Sequence, residues 1–132
     1  MGNEDLFDRG MKLRALHKFK AAAKLFHEIR EINPNFSEAS FWEAVSLDNG
    51  GIEKRDIPCY MEAIRLGLPD SLLPKAYLWL SSSLSIEGDI GNAERNLKMA
   101  EEIKINYDPL CEFEFISEKI KKRIERILKK RP

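Results

Sequence analysis

Side chains able to do chemistry are few in this chain of 132 residues, which holds two histidines and two cysteines. Cys59 and Cys111 form no CxxC pair, and no acidic or thiol partner stands at ligand spacing from His17 or His27, so no bound metal is expected. Two lone thiols suit small buried hydrophobes in a reducing compartment. The run Ser81-Ser82-Ser83 reads as small-residue helix packing rather than as a nucleophile. There is no phosphate loop, no GxSxG, no dinucleotide fingerprint and no HExxH. The expectation is a protein without catalysis and without a cofactor. What remains is recognition chemistry. Trp42 and Trp79 are of the residue type that dominates protein interfaces, and the chain ends in a cluster of cations.

Bulk properties narrow the class. Hydrophobic residues make up 43% and charged residues 33%, which suits one largely helical domain over residues 1–132. Formal net charge is zero, so the molecule as a whole does not favour non-specific nucleic-acid binding. The balance conceals an asymmetry: Lys119 to Pro132 holds eight Lys or Arg and one Glu, a net +7. MGNEDLFDRG is acidic and has no apolar core, so it is not read as a signal peptide, and Leu6 stands where a myristoylation signal needs Ser or Thr. No apolar run nears membrane-spanning length, and a cytoplasmic location is the expectation.

The elements that must position these residues are helices. Helical periodicity predicts segments over 4–15, Phe19–Ile32, 37–49, a fourth ending at Leu66-Gly67, about Leu72–Ile86, about Ile90–Ile105 and about Leu110–Lys130. Asn33-Pro34, Asn49-Gly50-Gly51, Gly88-Asp89 and Asn106-Tyr107-Asp108-Pro109 separate them. Ser37 and Asp89 are the expected N-caps, and Gly88 the expected left-handed helix end. Pro58 lacks an N–H and disfavours a helical Ile57, so the fourth helix starts near Asp56, or near Glu53 with a bend.

Three hairpins lie in register. Leu6, Gly10, Leu13, Ala22, Phe26 and Pro34 align with Ser40, Ala44, Leu47, Asp56 and Tyr60 at an offset of 34 residues. Tyr77, Ser81, Leu84, Ala93 and Leu97 follow at 37, the extra three lying near Pro69. This pattern resembles the tetratricopeptide repeat, with a small residue between two large ones in the first helix, then Ala and an aromatic in the second, then Pro. Small side chains at Gly10, Ala44 and Ser81, and at Ala22 and Ala93, would let helices cross at short range. Ile57 to Ala100 is similar to a bacterial subgroup with a Gly-Leu-Pro connection between repeats. The chain departs from the family at Leu6, Ser40 and Tyr77, where a Trp is usual, and at Asp56, where a small apolar residue is usual.

The resemblance implies an all-α, right-handed superhelix of three hairpins, 4–34, 37–68 and 71–105. A helix over 109–131, with the apolar stripe Phe113, Ile116, Ile120, Ile124, Ile127 and Leu128, would cap the stack or else fill its groove. It further implies that first helices line a concave groove. Carried onto this chain, the groove-facing positions are Phe7, Met11 and Arg14, then Glu38, Phe41, Trp42, Val45 and Asn49, then Lys75, Leu78, Trp79, Ser82 and Ser85. Members of the family that grip a peptide carboxylate do so with Lys, Asn and Arg. Here only Lys75 matches, while Phe7, Met11, Trp42 and Trp79 make the face aromatic. The resulting expectation is an adaptor that binds a peptide or helix of a protein partner. Two alternatives stand beside it: a module that pairs with a second copy of itself, and a basic C-terminal helix that binds nucleic acid or an anionic membrane.

Overall fold

The computed structural model describes residues 3–52 and 54–132, with the side chains of residues 3–5 left aside. Met1, Gly2 and Glu53, on which part of the terminal and fourth-helix readings fall, lie outside the described residues. Among the described residues there are seven α-helices, one short 3-10 helix and no strand. None of these helices is long and apolar enough to cross a membrane. Chain contacts group the residues into two compact units, Met1–Leu68 and Pro69–Pro132.

Unit 1 holds two hairpins: α1 (Asn3–Ala15) with α2 (Phe19–Ile32), and α3 (Ser37–Asn49) with α4 (Asp56–Leu66). Close approach in the first hairpin depends on Gly10. A Cβ there would come within 2.7 Å of the Phe26 ring, which is itself fully buried. The second hairpin closes at Ala44 and Ala63, both fully buried, and Ser40 Oγ donates to the Cys59 carbonyl at 2.8 Å. Helix α3 packs against both α2 and α4. Its residues from Ala39 to Leu47 are therefore buried, with Trp42 alone half-buried. Ser37 is the first residue of α3 and supplies no capping bond. The preceding Phe36 instead stacks on Phe7 at 5.4 Å between ring centroids, so packing rather than a hydroxyl sets this helix start. Helix α4 begins at Asp56, which places Pro58 in its first turn, where a missing N–H costs no intrahelical bond.

Unit 2 holds one hairpin, α5 (Leu73–Ile86) with α6 (Ile90–Ile103), and the long helix α7 (Leu110–Lys130). Ser81 is the small residue of this crossing, and its Oγ donates to the Ala93 carbonyl at 2.6 Å. Asp89 caps α6 through the Asn92 amide and Asn92 Nδ2. Helix α6 stops at Ile103, two residues before the expected end, because Lys104–Asn106 tightens into the 3-10 turn. Tyr107, only 2% exposed, follows and meets Phe113 edge-on at 5.3 Å. Helix α7 packs along α5. Phe113, Ser117, Ile120 and Ile124 are its buried stripe, whereas Leu128, expected in that stripe, is 48% exposed.

The first helices of all three hairpins end alike. The Lys18 amide donates to the Leu13 carbonyl at 2.9 Å, Ile52 to Leu47 at 2.9 Å, and Asp89 to Leu84 at 3.0 Å. Each bond spans a residue of positive φ: His17 at 58°, Gly51 at 72° and Gly88 at 83°. This is the left-handed helix ending that leaves the last carbonyls satisfied. Its three occurrences are spaced by 34 and 37 residues, the offsets of the sequence repeat.

Candidate peptide-binding site

In unit 1 the helices α1 and α3 carry an aromatic face over a small core. Ala22, Phe26, Ile29 and Ala39 are buried beneath it, and Phe7, Met11 and Trp42 are half-buried against them. Phe7 meets Phe26 edge-on at 5.5 Å, and Trp42 meets Phe41 edge-on at 5.0 Å. The Arg14 guanidinium lies over the Trp42 ring, 4.4 Å from its centroid. Arg14 Nε is buried without a hydrogen-bond partner, and burial lowers the pKa of the group while Tyr60 opposes that shift. The stacked guanidinium leaves a positive charge on the aromatic face, and its buried Nε carries the cost of an unmade hydrogen bond.

In unit 2 the corresponding residues of α5 are taken up by the chain itself. Lys75 Nζ lies over the Tyr107 ring at 5.6 Å. Trp79 and Glu112 face the Tyr107 hydroxyl, whose pKa burial and the Glu112 charge push up to about 12. Arg123 of α7 donates to Ser82 Oγ at 3.3 Å, to the Ser82 carbonyl at 3.4 Å and to Ser85 Oγ at 2.9 Å. Arg131 donates to the Gly88 carbonyl at 2.9 Å. Lys121 pairs with Glu101 and Lys129 with Glu125, so much of the basic terminus is engaged within unit 2.

Nine of the thirteen expected groove residues thus fall into three groups. Phe7, Met11 and Trp42 share one half-buried face. Lys75, Trp79 and Ser82 are half-buried but contacted by later parts of their own unit. Phe41, Val45 and Leu78 are buried in the core, at 0%, 4% and 0% exposure. The reason is that α3 lies between α2 and α4, and α5 between α6 and α7, which leaves little of either helix free.

A polar network behind α3 was not anticipated. Glu43, 4% exposed, accepts from Arg30 at 2.7 Å, lies 3.3 Å from His27 Nδ1, and accepts from Cys59 Sγ at 3.4 Å. Burial and the Glu43 charge push the Cys59 thiol up to about 12 against the opposing pull of Arg30, so this sulfur is a poor nucleophile. The signal was faint: Glu43 is one of three acids in α3, beside Glu38 and Asp48, and only its burial demands the cation that Arg30 supplies.

Comparison with known proteins follows from this geometry. No family model matches the sequence, and no curated protein matches it. Solved structures do. The Yersinia enterocolitica type III secretion chaperone SycD in complex with a peptide of the translocator YopD gives a TM-score of 0.73 at 22% identity. That match covers 97% of this chain and 94% of that chain. SycD in an alternative dimer gives 0.72 at 22% identity over 98% and 95%. The CopN–Scc3 complex gives 0.71 at 18% identity, over 98% of this chain and 69% of that one. The chain shares the fold of these helical chaperone structures.

Proposed function

We propose that this chain is a non-catalytic adaptor of tetratricopeptide-like hairpins, acting in the cytoplasm. It takes an extended or helical segment of a partner protein on the aromatic face of α1 and α3. The observation that carries this reading is the set Phe7, Met11 and Trp42, half-buried on one small core and crossed by the unsatisfied Arg14. The shared fold supports it, since SycD is described with a peptide of a translocator. Two of the candidate nucleophiles are engaged within the fold: the Cys59 thiol is held protonated and Ser81 donates to the Ala93 carbonyl.

The test is a titration of immobilised apolar peptides with the intact chain. Trp42→Ala and Phe7→Ala should each weaken capture by tenfold or more, with helicity unchanged. Capture indifferent to both substitutions would remove the proposal. A second copy is the alternative occupant, favoured by the description of one SycD structure as a dimer. Sedimentation over a concentration series distinguishes it, because only self-association shifts with chain concentration alone.

A further inference from the structure

Unit 1 carries a second groove that shares no residue with the aromatic face. It encloses about 300 Å³ between α2, α3 and the connection after α3. Its floor is aliphatic: Ala23 and Leu47 are buried and Ile52 is half-buried. Lys20 and Lys24 of α2 rise on one side and Arg55 on the other, all exposed. None of these three cations has an ion pair among the described residues. The one acid in the lining, Glu43, is already matched by Arg30 at 2.7 Å. The groove therefore presents an uncompensated positive rim around an apolar floor.

We infer that this groove binds an extended acidic segment of a partner protein that presents two carboxylates and an aliphatic side chain at alternate positions on one side. Charge complementarity sets the sign of the occupant. Spacing sets its form. Lys20 and Lys24 lie one turn apart on one helix face, about 6 Å along the axis. Alternate residues of an extended peptide repeat at about 7 Å, so successive same-side carboxylates meet successive lysines. The floor of Ala23, Leu47 and Ile52 favours an aliphatic side chain over a base, for which the lining offers a single ring, that of the exposed His27. By contrast, the groove of about 340 Å³ between α6 and α7 has a mixed rim, with Glu94, Glu101 and Glu125 against Lys98 and Lys121. It carries no comparable signature.

The experiment uses the full chain and a labelled synthetic peptide, Glu-Ser-Glu-Ser-Leu, followed by fluorescence anisotropy. Binding should weaken at least tenfold for the Lys20→Glu, Lys24→Glu double variant and fall steeply as salt rises. Trp42→Ala should leave it unchanged, which separates this site from the aromatic face and keeps the two proposals independently testable. The substituted side chains are exposed, and circular dichroism verifies that the variant folds. The proposal is overturned if the double variant binds within twofold of the original, or if the peptide shows no saturable binding. It is equally overturned if an octathymidine strand competes as well as the acidic peptide. Should the double variant instead abolish dimerisation in sedimentation, the groove is an interface between copies and not a partner site.

Discussion

The two units treat the same kind of helix face in opposite ways. In unit 1 the aromatic residues of α1 and α3 rest on a core beneath them, and Arg14, which lies across Trp42, keeps an unsatisfied donor. In unit 2 the face of α5 is met from within: Lys75 lies over the Tyr107 ring, whose buried hydroxyl is likewise unpartnered, and Arg123 binds Ser82 and Ser85. A unit with two hairpins has four helices to bury one another's apolar stripes. A unit with one hairpin lacks that, and α7 supplies the missing surface with Phe113, Ile120 and Ile124. The same residue types at equivalent positions therefore form the face proposed for recognition in one unit and serve self-completion in the other.

The largest expected effect would break that contrast by uncovering unit 2. Phe113 is fully buried, and Phe113→Ala should cost about 3–5 kcal/mol. Hydrogen exchange should show the loss in residues 69–132; protection unchanged there would mean that α7 is dispensable. Next comes binding. Trp42→Ala should weaken peptide capture by about tenfold or more, roughly 1.4 kcal/mol, whereas Trp79→Ala should change it by less than about threefold. Equal losses at both tryptophans would show that the α5 face is as available as the other.

A smaller effect concerns the crossings. Gly10→Ala drives a Cβ into the buried Phe26 ring and should cost about 1–3 kcal/mol, less what the helix gains in propensity. Ser81→Ala keeps its volume and loses one hydrogen bond, about 1 kcal/mol. Urea unfolding of the two variants ranks them. The smallest effect appears at alkaline pH. Cys59 and Tyr107 both bind their protons more tightly when folded, so the stability they contribute is complete at neutral pH and declines as pH rises. For Cys59 the decline spans about pH 9 to 12, and for Tyr107 about pH 10 to 12. Thermal midpoints measured from pH 8 upward should fall less steeply for Cys59→Ala and for Tyr107→Phe.

Much of this architecture could be read before any coordinates. Helices α2, α3 and α7 match the expected bounds because Asn33-Pro34, Asn49-Gly50-Gly51 and Asp108-Pro109 interrupt a clear 3.6-residue period. Gly10 and Ser81 occupy the close crossings that their volume implied. The site was less legible. Periodicity separates a helix's apolar face from its polar face, but α3 and α5 are packed on more than one side. Phe41, Val45 and Leu78 could not be told from Trp42 on that basis. Ser37 was a plausible cap displaced by the stacking of Phe36 on Phe7, a contact between residues 29 positions apart that local sequence does not record. The placing of the Tyr107 hydroxyl beside Trp79 depends likewise on a segment that returns from beyond α6.

The placement of the two sulfurs has a practical consequence. Cys111 stands in solvent at the start of α7, while Cys59 is sealed behind Glu43 and Arg30 with its proton held fast. An alkylating reagent at neutral pH would mark the former at once and reach the latter only when the first two hairpins come apart. The protein thus carries its own pair of clocks, one running freely and the other started only by unfolding of its N-terminal half.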